Sequence, residues 1–262
     1  MITVSDIYGK LAKAFPLDLA EGFDNCGLLV GDSRAAVDTV LVALDITDGV
    51  IGEAEKIGAQ LIVSHHPLFF RGAINSITDS TAAGARIMRL IRGGIAAVCM
   101  HTNADSAAGG VNDLLAAAVG LTNVQNLGGG DSGMLGRIGD LPAEYPNVSE
   151  YAKFAARALS ACGARVCDSG KKCSRVAVGG GSCGEFLELA ASRGADTFIT
   201  ADVKYHIFHD AQRLGVNLID LGHFPTEAAV RLGFADIIAR NFPSVRVQLS
   251  QINRDPIFFI MP

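Results

Sequence analysis

The chain has no tryptophan, no basic cluster and no long apolar run, and the last two absences each exclude a class of partner. It has 262 residues and a formal net charge of −5, and its 22 Lys and Arg are scattered along the sequence. No basic block could therefore track a nucleic-acid backbone. The apolar runs are far shorter than the roughly 20 residues of a membrane helix, and the first residues do not resemble a signal peptide. We expect a globular cytoplasmic protein with no membrane or nucleic-acid partner.

The six cysteines follow no recognised metal-binding pattern. None forms a CxxC pair, and the spacing of Cys162, Cys167 and Cys173 fits no zinc or iron–sulfur motif. Buried or free thiols are the expected state in a reducing compartment. Any metal site should therefore depend on histidines and carboxylates.

Apolar runs alternate with helical patterns from residue 40 onward. The runs VLVALDI, LIVSHH and GIAAVCMHT are predicted strands, separated by predicted helices over residues 48–59 and 81–94. Because these runs are continuously apolar, the strands should be parallel and covered on both faces. Residues 121–150 are rich in Gly, Asn, Asp and Pro and predict a connection with one short strand near MLGRIG.

The alternation of predicted strands and helices resumes after this connection. RVAVGG, ADTFITA, VNLIDLGH and VRVQLSQ are predicted strands with helices between them. The sequence thus predicts an α/β protein with two lobes, residues 1–125 and residues 126–262. A cleft between two such lobes is a usual place for a ligand.

Potential metal ligands follow the predicted strands. They are Asp45 after the first strand, His65 and His66 after the second, His101, Asn103 and Asp105 after the third, and Asp202 and His223 in the second half. Two adjacent histidines can converge only where a strand has ended, as Pro67 indicates. Neighbouring strand ends lie about 4.8 Å apart, so these side chains could meet around one or two ions.

The segment GHFPTEAAV adds a helical argument. His223 and Glu227 are four residues apart, and Pro225 suits a first helical turn, so both side chains can face one site. Imidazoles combined with carboxylates suit Zn, Mn, Fe or Co better than Ca or Mg. Asp105 is the candidate carboxylate to bridge two such ions.

Ordinary structural roles compete with metal binding at several of these positions. Asn103 and Asn112 could stabilise turns, and Asp45 could cap the helix that begins near residue 48. His206 and His209 lie on a predicted helix and are interpreted as surface groups or as groups that hydrogen-bond to the ligands.

A glycine motif offers a rival hypothesis. Gly179, Gly181 and Gly184 form G-x-G-x-x-G after a predicted strand, with Asp202 eighteen residues further on, which is the context of a dinucleotide-binding loop. The same amides could instead bind a substrate phosphate. A third interpretation is that the glycines only permit a tight turn and a close helix approach. The absence of G-K-[ST] excludes a nucleoside-triphosphatase loop.

A set of motifs along nearly the whole chain resembles one known family. FDNCGLLVGD, ALDIT, LIVSHHPLFF, HTNADSAAGGVNDLLA, VAVGGGSCG, ITADVKYH and LGHFPTE occur in the order found in type 2 GTP cyclohydrolase-like proteins, also called the interacting-factor-three-like or Nif-three-like family. The chain departs from the family at Thr200-Ala201-Asp202, where T-G-E is usual, and at Phe23, where tryptophan is common. The shorter carboxylate of Asp202 could retract, so Asp202 is not counted as a ligand.

The resemblance implies a fold, an assembly and a site. It implies a two-lobed α/β fold with mixed, mostly parallel sheets flanked by helices, a toroidal homohexamer, and two divalent ions per chain facing the inner cavity in the cleft between the lobes. The ligands it implies are His65, His66, Asp105, His223 and Glu227. His101 matches the family's histidine beside that cluster and is the candidate catalytic residue.

Two functions follow as expectations. The first is a dinuclear metal-dependent hydrolase of a phosphorylated or nucleotide-like substrate, resembling GTP cyclohydrolase 1 type 2. The alternative is a metal-binding oligomer that acts by contacting other proteins without turnover. The dinucleotide hypothesis ranks third.

Overall fold

The computed structural model describes residues 1–128 and 135–260, which fold as two compact units. Unit 1 comprises Met1–Ala107 and Val230–Arg254, and unit 2 comprises Ala108–Ala229 with the C-terminal segment from Asp255. These bounds differ from the lobes expected at 1–125 and 126–262. They differ because the last helix and strand of the chain belong to unit 1.

The two units are α/β structures whose elements are named in chain order. The strands are β1 (Gly27–Val30), β2 (Thr39–Ala43), β3 (Leu61–Ser64), β4 (Ala96–Cys99), β5 (Thr122–Asn126), β6 (Arg137–Tyr145), β7 (Arg165–Cys167), β8 (Cys173–Val178), β9 (Thr197–Thr200), β10 (Asn217–Asp220) and β11 (Arg246–Leu249). The helices are α1 (Val4–Ala14), α2 (Asp48–Ile57), α3 (Ala82–Arg92), α4 (Thr102–Ser106), α5 (Val111–Ala118), α6 (Val148–Ala158), α7 (Leu187–Ser192), α8 (Tyr205–Leu214), α9 (His223–Glu227) and α10 (Val230–Asn241).

Unit 1 is built on a mixed sheet with the order β1-β4-β3-β2-β11. Strands β4, β3, β2 and β11 are parallel, and β1 joins β4 antiparallel. The predicted βαβαβ unit over β2, β3 and β4 is confirmed. Every residue of these three strands is buried, as expected for parallel strands covered on both faces.

Helices α2 and α3 begin at threonines whose side chains cap them. The hydroxyls of Thr47 and Thr81 accept from the amides of Val50 and Gly84 at the starts of α2 and α3. Helix α2 ends at Gly58, which adopts a left-handed conformation with φ 67° and so terminates the helix without the strain a side chain would add.

Unit 2 is built on a second mixed sheet with the order β5-β6-β8-β9-β10-β7. Strands β8, β9 and β10 are parallel, and β5, β6 and β7 pair antiparallel with their neighbours. Apolar clusters cover the sheet, one including Tyr151 of α6 and another including Phe198 of β9. The α/β class with mixed sheets flanked by helices is therefore confirmed.

Two expectations about the connections were wrong. Residues 121–150 are not a connection with one short strand, because β5 and β6 form an antiparallel pair there. The strand predicted at MLGRIG begins only at Arg137 in the structure. Met134, the first residue of the predicted segment, lies outside the described residues. The last strand, β11, does not extend the second sheet but pairs in parallel with β2 in unit 1.

Within residues 1–128 and 135–260, no helix is long and apolar enough to cross a membrane.

The C-terminal residues of unit 1 form hydrogen bonds with the residues that follow β2. The side-chain oxygen of the buried Asn253 accepts a hydrogen bond from the amide of Leu44 at 2.5 Å. Its side-chain nitrogen donates one to the carboxylate of Asp45 at 3.1 Å. Just before it, Ser250 and Gln251 bond to the buried carboxylate of Glu53 on α2. A segment about 200 residues away in sequence thus holds the loop that carries Asp45.

We expect Asn253→Ala to destabilise the protein by about 2–3 kcal/mol, since the change leaves the buried Leu44 amide without its acceptor. Urea unfolding at neutral pH measures the difference. Asn241→Ala is the matched control, because Asn241 is exposed and its amide bonds only to the carbonyl of Ile237. Equal effects of the two changes would contradict the anchoring role of Asn253.

Candidate metal centre

The two adjacent histidines of unit 1 converge because β3 ends at Ser64, just before them. The amide of His66 donates to the carbonyl of Leu44 at 2.8 Å, and the hydroxyl of Ser64 donates to the carbonyl of His66 at 2.8 Å. This local fold turns both rings to one side, with centroids 5.0 Å apart. The convergence expected from Pro67 is confirmed.

Three imidazoles of unit 1 meet at the carboxyl ends of β3 and β4. His101 follows β4, and its ring centroid lies 5.1 Å from that of His65 and 5.6 Å from that of His66. One nitrogen from each of the three rings lies within 4.8 Å of the others, a spacing that suits a shared metal ion. Unit 1 therefore brings together three of the predicted site residues.

Each imidazole is held at Nδ1 by an acceptor of unit 1. His65 Nδ1 lies 2.9 Å from the carbonyl of Met100, His66 Nδ1 lies 2.7 Å from Asp45 Oδ1, and His101 Nδ1 lies 2.9 Å from Asp24 Oδ1. A carbonyl or carboxylate can only accept, so Nδ1 carries the proton in all three rings. In a neutral ring the lone pair is then on Nε2, as in histidines that ligate metals.

Asp105 stands beside these rings on α4. Its Oδ1 lies 3.5 Å from Nε2 of His65, and both side chains are buried. A neutral imidazole lone pair facing a carboxylate oxygen is unfavourable unless a cation lies with them. This pair of acceptors in a buried place fits a divalent ion, and Asp105 is thus placed with the histidines, as predicted.

Asp24 holds one of these imidazoles, and the sequence interpretation missed it. This buried carboxylate accepts from the amide of Asn25, the thiol of Cys26, the amide and hydroxyl of Thr102, and His101. Burial alone would raise the pKa of Asp24, but the hydrogen bonds from His101 and Thr102 outweigh it and hold that pKa well below its usual range. Asp24 therefore stays ionised and fixes the ring of His101.

Burial and the contact with Asp24 raise the pKa of the Cys26 thiol to about 12. The thiol therefore stays protonated at neutral pH and is a hydrogen-bond donor, not a nucleophile or metal ligand. Cys26 thus agrees with the expectation of buried or free thiols.

Unit 2 brings together a second group at the ends of its own parallel strands. His223 and Glu227 lie at the two ends of α9, and His223 Nε2 is 3.1 Å from Glu227 Oε2. His223 Nδ1 is 2.6 Å from Asp202 Oδ2. The helical pairing predicted for His223 and Glu227 is confirmed. Asp202 has not retracted but holds the imidazole, with its own backbone at φ 51°.

The glycine motif packs against this second group. Gly181 has φ 66°, and a Cβ there would collide with the carboxylate of Glu227 and lie 3.2 Å from His223 Nε2. The amides of Gly179, Gly180 and Gly181 donate to Ile199, Asn112 and Thr226, and the amide of Cys183 donates to Thr200. Because these amides have protein acceptors, the geometry does not support a dinucleotide or phosphate cradle. It favours the interpretation as a tight turn.

The remaining candidates have structural roles or lie at the surface. Asp45 does not cap α2, which Thr47 caps, and instead accepts from His66 and Asn253. Asn103 donates to the carbonyl of Phe15, and Asn112 accepts from Gly180. His206 and His209 are exposed on α8, as expected.

Asp24→Asn keeps the size of the side chain but removes the charge that accepts these hydrogen bonds. We expect the free energy of unfolding to fall by about 2–4 kcal/mol at pH 7. Because the pKa of Asp24 is lowered on folding, this contribution is complete above the unfolded value of about 3.9 and is lost as the pH falls further. Urea unfolding at pH 7, 5 and 3 tests the pattern. The exposed Asp38→Asn serves as the control, and matching losses in the two variants would contradict the assignment.

Gly181→Ala tests the close approach of the glycine turn to Glu227. We expect a loss of about 2–5 kcal/mol, from the left-handed backbone and the collision together. Gly58→Ala is the matched control, since Gly58 has φ 67° and nothing within 4 Å of the added Cβ. The control should lose only the backbone contribution of about 1–2 kcal/mol. Urea unfolding measures the free energy of unfolding of both variants. Equal losses would show that a collision with Glu227 adds nothing to the cost of the substitution at Gly181.

Comparisons with known proteins agree with these features. A family model described as Duf34/NIF3 (NGG1p interacting factor 3) matches residues 2–256. Proteins named GTP cyclohydrolase 1 type 2 homolog from Clostridium perfringens and Streptomyces coelicolor are each 35% identical to this chain over 98% of its length, and the matches cover 99% and 94% of those proteins.

Solved structures show the same fold. A Bacillus cereus protein related to NIF3 superposes with a TM-score of 0.89 at 26% identity over 99% of both chains. A hypothetical protein from Staphylococcus aureus superposes with a TM-score of 0.90 at 30% identity, covering 98% of this chain and 99% of that one. From the family match and these full-length relatives, the chain belongs to the Duf34/NIF3 family.

Proposed function

We propose that the protein is a hydrolase that depends on two divalent metal ions and acts on a phosphorylated or nucleotide-like substrate. The proposed ligands are His65, His66, Asp105, His223 and Glu227, and the ions are drawn from Zn, Mn, Fe and Co. The choice of ions follows from the imidazole and carboxylate donors. The choice of reaction is supported by the name GTP cyclohydrolase 1 type 2 homolog of the relatives.

The observation that carries the proposal is the buried arrangement of His65 and Asp105. A fully buried imidazole with its Nδ1 proton on a carbonyl faces a carboxylate oxygen at 3.5 Å. Such a pair favours a divalent cation over a purely structural role. In unit 2, the buried carboxylate of Glu227 likewise lies beside Nε2 of an imidazole, that of His223.

Each residue has a defined task in this proposal. Asp24, Asp45 and Asp202 keep the protons of His101, His66 and His223 on Nδ1 and fix the ring directions. Two divalent ions held by these residues would supply a nucleophile from water at neutral pH and would stabilise developing negative charge. His101 would receive and return a proton at Nε2, because Asp24 stabilises the imidazolium that forms.

The assembly and compartment are part of the same proposal. The protein is a homo-oligomer, and the sequence resemblance favours a hexamer. No disulfide joins any of the six cysteines, all of which lie in the described part of the chain. This state suits the reducing cytoplasm.

One observation favours the alternative of a non-catalytic, metal-binding oligomer that contacts other proteins. Ile257, Phe258, Phe259 and Ile260 are consecutive, and each is more than half exposed. Exposed apolar residues grouped in this way are typical of a protein contact. The interaction named in the family description agrees with such a role.

Metal content and turnover together distinguish the two functions. We expect close to two ions per chain by elemental mass spectrometry after reconstitution with Zn, Mn or Fe, and a clear loss in Glu227→Gln. Hydrolysis is measured on a panel of nucleoside triphosphates that includes GTP, by release of phosphate and of formate. His65→Ala should lower the rate by at least about 100-fold, because it removes a metal ligand.

The control for both measurements is His209→Ala, which removes an exposed imidazole of α8 that belongs to neither ligand group. It should change neither metal content nor rate. Two ions without turnover of any substrate on the panel would favour the non-catalytic alternative. No metal in the parent protein would overturn both.

A further inference from the structure

Two phenylalanine rings of unit 1 are exposed beside the candidate catalytic residue His101. Phe23 is 63% exposed and Phe70 is 49% exposed. The rings of Phe70 and His101 meet edge to face with centroids 6.0 Å apart, and Phe23 directly precedes Asp24, which accepts from His101. Single exposed apolar residues are common, but two exposed aromatic rings at one candidate site favour a planar ligand.

The loop that carries Phe70 has a fixed local fold. The amide of Ala73 donates to the carbonyl of Phe70 at 3.0 Å and closes a tight turn, in which Gly72 has a left-handed φ of 74°. The side-chain amide of Asn25 donates to the carbonyl of Phe69 at 3.0 Å, so the loop is bonded to the segment that carries the other exposed ring. Folding therefore orders this backbone before a ligand binds, which lowers the entropy cost of binding.

The same turn presents a positive charge. Arg71 follows Phe70 and is exposed, and within residues 1–128 and 135–260 no carboxylate pairs with it. A guanidinium group is well suited to bind phosphate. A ring and a guanidinium group on consecutive residues match the two chemical parts of a nucleotide, its flat base and its anionic phosphate.

We propose that the turn of residues 70–73 binds a nucleotide, whose base stacks on Phe70 and whose phosphate pairs with Arg71. The inference deepens the proposed function and rests on it only in taking this nucleotide as the substrate. Aromatic centroids pair at about 4.5–7 Å, so a base stacked on Phe70 lies at most about 13 Å from the ring of His101. A phenyl ring offers no hydrogen bond, so the stack selects a nucleotide over a simple phosphate ester without choosing among bases.

The absence of tryptophan from the chain allows a direct test. Phe70→Trp introduces a single indole at the stacking position, and a base stacked on an indole quenches its fluorescence. On the metal-reconstituted protein we expect strong, saturable quenching by GMP and none by ribose 5-phosphate at the same concentrations. Phe258→Trp is the control, because Phe258 is 76% exposed but lies in the C-terminal segment of unit 2. Its emission should fall only in proportion to the GMP concentration.

Affinities from equilibrium dialysis test each contact separately. Phe70→Ala should weaken GMP binding by about 5- to 150-fold, the loss expected for one stacked base. Phe70→Tyr keeps the ring and should bind GMP as the parent protein does. Arg71→Gln should weaken GMP binding by about 10-fold, the loss of one charged hydrogen bond, and leave the affinity for guanosine unchanged.

The outcomes separate this inference from the proposed function. Saturable quenching by GMP without turnover of any nucleotide on the panel would leave the nucleotide site standing and remove the hydrolase. Turnover with no quenching, and with a GMP affinity unchanged by Phe70→Ala, would overturn the site and leave the hydrolase standing.

Three further results would also overturn the proposal. Equal quenching by ribose 5-phosphate, or saturable quenching in Phe258→Trp, would show that the signal does not come from a base on the ring of residue 70. An equal loss of GMP and guanosine affinity in Arg71→Gln would contradict the phosphate contact. Emission of Phe70→Trp that ignores GMP and shifts to the blue with rising protein concentration would show that a second copy of the chain covers the ring.

Discussion

The register of three parallel strands in unit 1 is the constraint on which the candidate centre depends. Ala43 of β2, Ser64 of β3 and Cys99 of β4 lie side by side, so the three strands end at one level. The next residues of each chain segment carry Asp45, the paired histidines and His101. A slip of one residue in any strand would turn its side chains to the opposite face. The continuous burial of these strands therefore protects the geometry of the site as well as the core.

Carboxylates in both units accept hydrogen bonds from Nδ1 of imidazoles, and Nε2 of each ring is not engaged by that carboxylate. Asp24, Asp45 and Asp202 each accept from Nδ1 of a histidine, and a carboxylate in this position makes the ring a stronger electron donor. His65 differs, since its partner is the neutral carbonyl of Met100. The imidazoles of the two candidate groups are thus not equivalent as electron donors.

The sequence predicted those parts of the molecule that have strong local signals. Apolar runs and helical patterns identify β2, α2, β3 and α3, and the spacing of His223 and Glu227 identifies their helical pairing. Strand β5 has the polar sequence TNVQN with four exposed residues, so periodicity gives no sign of it. The return of β11 to β2 depends on pairing across about 200 residues, which no local pattern carries. Asp24 escaped notice for the same reason, because 77 residues separate it from His101.

Unit 1 is discontinuous, and this has a consequence for synthesis on the ribosome. Its first strands are complete by residue 99, but α10 and β11 follow only after Ala108–Ala229, the main part of unit 2. At the usual speed of translation, β11 emerges about 10–40 s after β2. During that time the edge of β2 is open to wrong partners, whereas residues 108–229 can fold as one continuous stretch of chain. Residues 108–229 are in this sense an insertion into unit 1, and a ribosome that stops early releases a first sheet that lacks its final strand.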